Sequence, residues 1–222
     1  MSVDTPGRSC NRAVRAARYK SLVAANQVLT ASALTELWEQ RWPECPPVAH
    51  WLRDRYPDRW VRFHSLPDSK RYPFDETEYA VVLRRHYTVL STLAPGPELV
   101  VVTSDWTESA EPDSPVWPTL AQIAPTAWYW RTFLEKPDED PEWRSYTQLY
   151  AETVPWQPGA IDVLLTAVAD DELSNVILAP VDLSWLYHPY DGGADVILPT
   201  RERRDALKAQ YRACLSGHPL GL

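Results

Sequence analysis

From Ala33 onward the apolar residues recur at spacings that name a series of short elements. Leu34, Leu37 and Trp38 fall at helical spacing behind Ser32, an N-cap candidate, with Thr35 and Glu36 in the first turn. Pro43, Pro46 and Pro47 stop that helix, and residues 48–55 predict a second short one. Residues 60–64, Trp-Val-Arg-Phe-His, alternate apolar and polar as a half-buried strand does. A polar loop then runs to Phe74. Asp75 caps a long amphipathic helix whose face holds Tyr79, Val82, Leu83, His86, Tyr87 and Leu90. Pro95-Gly96-Pro97 ends it, and the β-branched run at 99–103 predicts a buried strand.

Residues 105–125 hold four prolines and many acids, so they read as a long surface loop. Residues 128–135 and 146–154 read as strands on either side of an acidic turn at 136–141. Pro158 suits the first turn of a helix running to about Asp171, because its missing N–H has no intrahelical partner there. Three strand-like pieces follow at 175–178, 183–188 and 194–198. Thr200 caps a last helix with Glu202 and Arg203 in its first turn and Ala206, Leu207, Tyr211 and Leu215 at core spacing; Gly217 is placed to end it. Strands and helices mix without strict alternation. The expected class is α+β: one domain, a mixed or antiparallel sheet packed by three to five helices, with a C-terminal β-hairpin and a closing helix.

Composition adds exclusions. With 222 residues, 45% of them apolar, the chain has material for a core and is not globally disordered. A net charge of −8 argues against a nucleic-acid partner. No apolar run is long enough for a membrane-spanning helix. Three cysteines, Cys10, Cys45 and Cys214, lie far apart without a CxxC, which disfavours a disulfide framework and a structural zinc. Glycines number only 7, no phosphate-cradling glycine motif occurs, and no cofactor is expected. The 11 tryptophans read chiefly as core.

Residues 1–32 form a basic extension expected to be weakly ordered, with residues 33–222 as the domain. Arg8, Arg12, Arg15, Arg18 and Lys20 stand there against Asp4. Asn26 and Gln27 break the apolar stretch that follows, so a loosely attached basic helix is a better reading than a cleaved leader, and a cytoplasmic location is expected.

Candidate chemistry centres on Tyr187-His188-Pro189-Tyr190-Asp191-Gly192-Gly193-Ala194-Asp195-Val196. Asp-Gly-Gly between two β-rich runs predicts a hairpin, with Gly192 or Gly193 taking positive φ. His188, Asp191 and Asp195 are the catalytic candidates, since a histidine and two carboxylates can share a proton or hold a metal. No HxH or HxxxH spacing supplies further metal ligands, so no metal is expected and the structural hairpin is preferred. On that reading Asp195→Asn is mild. His64, Ser65 and Asp68 make a triad in letters without a nucleophile elbow. Arg84-Arg85-His86 diverges around a helix and reads as a solvated face, and Cys45 reads as a partly exposed thiol.

The hairpin followed by the 201–215 helix resembles the end of a bacterial family known only as a domain of unknown function, in which a tyrosine-rich Asp-Gly hairpin leads through an Asp-Val-Ile strand into a closing helix. Trp42-Pro43 and Arg59-Trp60-Val61-Arg62-Phe63-His64 are similar to its N-terminal half. The resemblance implies one continuous fold and carries over no catalytic role; where that family has a tryptophan in the last helix, this chain has Cys214 or Leu215.

Charge placement favours a non-enzymatic interaction protein, immunity-like, in which Asp138, Glu139 and Asp140 of the acidic segment steer a basic partner. The alternative is a hydrolase or metal-dependent enzyme centred on residues 188–195. A third reading is a binding module lined by Trp51, Trp60, Trp128 and Trp130.

Overall fold

Residues 99–103 are buried one after another, and they form the middle of a seven-stranded antiparallel sheet. The structure, a computed structural model, describes residues 29–112, 118–135, 137, 140 and 143–215. The strands are β1 (Trp60–His64), β2 (Glu98–Thr107), β3 (Trp128–Leu134), β4 (Tyr146–Pro155), β5 (Ile177–Pro180), β6 (Leu186–Tyr190) and β7 (Gly193–Ile197), in the order β1-β7-β6-β5-β2-β4-β3. Around them, among the described residues, lie six α-helices: α1 (Ala31–Arg41), α2 (Ala49–Arg55), α3 (Glu76–Leu93), α4 (Pro118–Ile123), α5 (Asp162–Ala169) and α6 (Arg201–Gln210).

Helices cover both faces of the sheet. Because side chains alternate along a strand, Val100 and Val102 face one way and Leu99 and Val101 the other. The first face carries Leu149, Ile177, Leu186 and Ile197 and packs against Leu34 and Trp38 of α1 and Leu52 of α2. On the second face, Val61, Phe63, Tyr187 and Val196 meet Leu90 of α3, Leu120 of α4, Leu165 of α5 and Leu207 of α6. Most of the tryptophan expectation holds: Trp38, Trp42, Trp130 and Trp185 are buried, and Trp38 and Trp130 meet edge to face at 5.9 Å.

The α+β class, the antiparallel sheet, the C-terminal hairpin and the closing helix are as the pattern predicts. Asp75 and Thr200 cap their helices through side-chain bonds to Glu78 and Arg203 N–H. The differences have local causes. Thr30, not Ser32, caps α1, and Leu29 packs on the core. Residues 1–28 and Gly217 lie outside the described residues. The helix count exceeds three to five because α4 sits in the stretch read as loop, and β2 also runs on into that stretch as far as Thr107. Helix α5 starts at Asp162 rather than Pro158, since Gly159 takes a φ of 83°. Asn175 at φ 60° delays β5, and Leu183 at φ 48° belongs to a turn back to Pro180 O, which delays β6.

The expectation that Gly192 or Gly193 takes positive φ is met by Gly193. Gly192 is not in the left-handed region. Gly193 lies at φ 158°, near fully extended, and what requires glycine there is crowding: an added Cβ would stand 2.0 Å from the Phe63 carbonyl oxygen of β1. At Gly192 a Cβ would meet only the Tyr190 ring at 3.0 Å and the Arg71 side chain at 3.5 Å. Gly193→Ala is therefore expected to lower unfolding free energy by about 1–3 kcal/mol, and Gly192→Ala by no more than about 0.5 kcal/mol. Urea titration of both variants checks the ranking.

His86 of α3 is buried, and its Nδ1 lies 2.7 Å from the Tyr187 hydroxyl. Burial lowers its pKa to about 4. An unfolded chain takes up the proton below about pH 6.5, so acid favours unfolding. Stability from this group should be complete above pH 6.5 and fall by roughly 3 kcal/mol on descending to pH 4. Denaturation across that window should show the loss, and His86→Gln should flatten the slope.

A polar cleft where the sheet opens

Strand register places three chemistry-bearing residues in a row on the first face. Arg62 of β1 stands opposite Asp195 of β7, and Asp195 stands opposite His188 of β6. Arg62 donates from Nε and Nη2 to the two Asp195 oxygens at 2.7 and 2.8 Å, a bidentate pair with both partners largely out of solvent. The same guanidinium lies 4.7 Å from the Tyr190 ring centre and 5.6 Å from that of Trp60. At the hairpin tip Asp191 accepts from Arg71 Nε.

His188 is only 9% exposed. Its Nδ1–H donates to the Val176 carbonyl at 2.8 Å, which leaves Nε2 as an acceptor. Burial holds the imidazole below its usual pKa against the pull of Asp195, so the neutral ring is favoured. Burial also pushes the Tyr190 phenol up to about 12, against the pull of Arg62.

These side chains line a cleft of about 650 Å³. One wall carries Arg62, His188, Pro189 and Tyr190; the opposite wall carries Ser104, Asp105, Trp106 and Thr147; residues 171–175 close one end, and His50 and Arg53 of α2 reach in. Six carboxylates stand on this lining against three guanidiniums. Each guanidinium is paired: Arg53 with Asp54, Arg62 with Asp195, Arg71 with Asp191. Asp171 and Glu172 make no ion pair among the described residues. Trp106, in the cleft, is 60% exposed.

The structure thus brings His188, Asp191 and Asp195 to one cleft but commits both carboxylates to arginines. Among the described residues no three His, Cys, Asp or Glu side chains are grouped to hold a metal ion. His64 Nε2 and Ser65 Oγ are buried without hydrogen-bond partners among the described residues, so the triad in letters does not assemble. Arg84 is exposed, as a diverging face requires, while Arg85 donates to the His64 carbonyl at 2.9 Å. Cys45 is buried rather than partly exposed, and burial pushes its thiol up to about 12. Trp51, Trp60, Trp128 and Trp130 pack on the core on the side of α1 and α2, and Trp51 also lines a separate pocket with Asp54 and Arg55. Asp138 and Glu139 lie outside the described residues; Asp140 is exposed, and its carbonyl accepts from Trp143, itself 75% exposed. Sequence reasoning missed Arg62, Arg71 and Trp106. Arg62 was open to discovery, as the one charged residue within the alternating strand at 60–64.

A family model described as a domain of unknown function (DUF3885) matches residues 48–219. No curated protein and no solved structure matches the chain.

Removing one partner of a desolvated ion pair strands the other, so the expectation that Asp195→Asn is mild is reversed. The variant should lose about 3 kcal/mol by chemical denaturation. Replacing the pair together, Arg62→Met with Asp195→Leu, should recover most of that loss. An Asp195→Asn chain as stable as the parent would show that the pair is not desolvated.

Proposed function

The chain belongs to the DUF3885 family of domains of unknown function, and we propose that it is a recognition protein that takes a cationic segment of a partner protein into the polar cleft. The observation that carries this reading is the lining itself: six carboxylates, three guanidiniums already paired with carboxylates, and an exposed indole. A ligand guanidinium or ammonium gains from unpaired Asp171 and Glu172 and from the face of Trp106. Glu135, which precedes the acidic 136–141 segment in the chain, lines this cleft. The segment's charge adds long-range attraction for a basic partner, the role expected of Asp138, Glu139 and Asp140. An immunity-like protein, which holds a basic partner, is the biological form this chemistry suits.

One observation favours a second reading: His188 Nε2 is an acceptor beside the cleft, a position from which a general base works. A hydrolase centred on residues 188–195 would use it. A single experiment separates the two. A peptide of about eight residues alternating lysine and valine, a strand's length, is titrated into the protein alongside its glutamate counterpart. Recognition predicts that the basic peptide binds, the acidic one does not, and affinity falls as salt rises from about 50 to about 300 mM. Trp106→Ala should weaken binding several-fold. Equal binding of both peptides would refute the reading, and peptide cleavage seen by mass spectrometry and lost in His188→Gln would install the hydrolytic one.

A further inference from the structure

The cleft exists because the sheet is split. β4 pairs with β2 along its whole length, from Glu98 to Thr107, but β5 pairs with β2 only from Leu99 to Val102. Beyond Val102, no described strand lies on that side of β2.

The phase of the ladder shows which backbone groups this leaves unpaired. Trp156 N–H donates to Pro97 O at 2.8 Å, which makes 97 and 156 a hydrogen-bonded pair in the β2–β4 register. Bonding pairs alternate in an antiparallel ladder, so odd-numbered residues of β2 direct their N–H and C=O toward β4. Even-numbered residues direct theirs the other way. Val100 and Val102 are opposite Ala179 and Ile177 of β5. Ser104 and Trp106 come next in phase, both lining the cleft, and their backbone groups point into it.

The far side of the gap is built differently. Val100 and Val102 take up Ala179 and Ile177, so Leu178 turns its backbone toward β6, where it stands opposite Tyr187. Two residues on, the β6 residue in the same phase is Pro189, which has no N–H to donate. The next backbone carbonyl before β5, that of Val176, is already taken by His188 Nδ1. Asn175, at φ 60°, then turns the chain out of the line of β5, and its side chain lies 3.1 Å from His50 Nδ1 of α2. Pro189 stands opposite Val176 in this register and β6 ends at Tyr190, so the β5 line past Asn175 has a donor–acceptor edge on the β2 side and no described strand on the other.

We infer that an extended, basic segment of the partner adds as a strand to the edge of β2 at Ser104 and Trp106, in continuation of β5. The inference rests on the cleft being the recognition site and specifies how it is used. Main-chain bonds to the two β2 residues supply affinity for any extended backbone, and the carboxylates and Trp106 select cationic side chains. Because β6 ends at Tyr190, the added strand bonds along one edge only.

That one-sidedness makes the test specific. The alternating lysine–valine peptide is prepared in two further versions, N-methylated at every second residue in one phase or in the other. Strand addition predicts that one phase loses about tenfold or more in affinity, while the other stays close to the parent peptide. If both methylated peptides bind like the parent, strand addition is refuted and the cleft remains a side-chain recognition site. Equal losses in both phases refute one-edged addition. If the parent peptide itself does not bind, the cleft reading and the strand reading fall together.

Discussion

A ten-residue strand lies beside a four-residue strand, and the functional end of this protein follows from that mismatch. β2 is long because residues 99–103 bury on both faces and the strand continues against β4, whose ten residues match it. β5 is short because left-handed Asn175 turns the chain before it and the Pro180–Leu183 turn ends it. Where β5 is missing, neither helical layer closes the gap. Polar side chains line a place that an ordinary sheet would fill with backbone.

The cleft keeps its shape through charges placed in register. Arg62, Asp195 and His188 neighbour one another because β1, β7 and β6 are adjacent and antiparallel, so a one-residue slip would carry all three to the opposite face. Gly193 secures that register, since its lack of a side chain allows the Phe63 carbonyl to approach, and Ser65 N–H ties the end of β1 to Gly192 O at 3.0 Å. Buried ion pairs add little net stability against an apolar replacement, but they fix orientation. Here the Arg62–Asp195 pair keeps a guanidinium from competing as a free cation, which leaves the remaining carboxylates to set the character of the cleft.

Much of the fold was legible in residues whose signals are local. Asp75 and Thr200 announced helix starts, the alternation at 60–64 gave a strand with the observed ends, and Asp-Gly-Gly gave the hairpin. What was not legible depended on non-local pairing or on left-handed residues without a sequence signature of their own. Leu183 at φ 48° looks like strand in any window. Composition alone made 105–125 a loop, yet β2 continues there because β4 offers a partner. At the site, the sequence drew attention to His188, Asp191 and Asp195 as a possible acid–base set. Their arginine partners lie about 120–133 residues away along the chain, beyond the reach of any local pattern.

The central claim is that the sheet ends on one side of β2 between Val102 and Ser104. Amide hydrogen exchange on the free protein measures it residue by residue. The amides of Val100 and Val102, bonded to β5, should exchange at the slow rate of the sheet core, while those of Ser104 and Trp106 should exchange orders of magnitude faster. Protection at Ser104 and Trp106 equal to that at Val102 would mean that the edge is already paired, and the account of the cleft would be wrong.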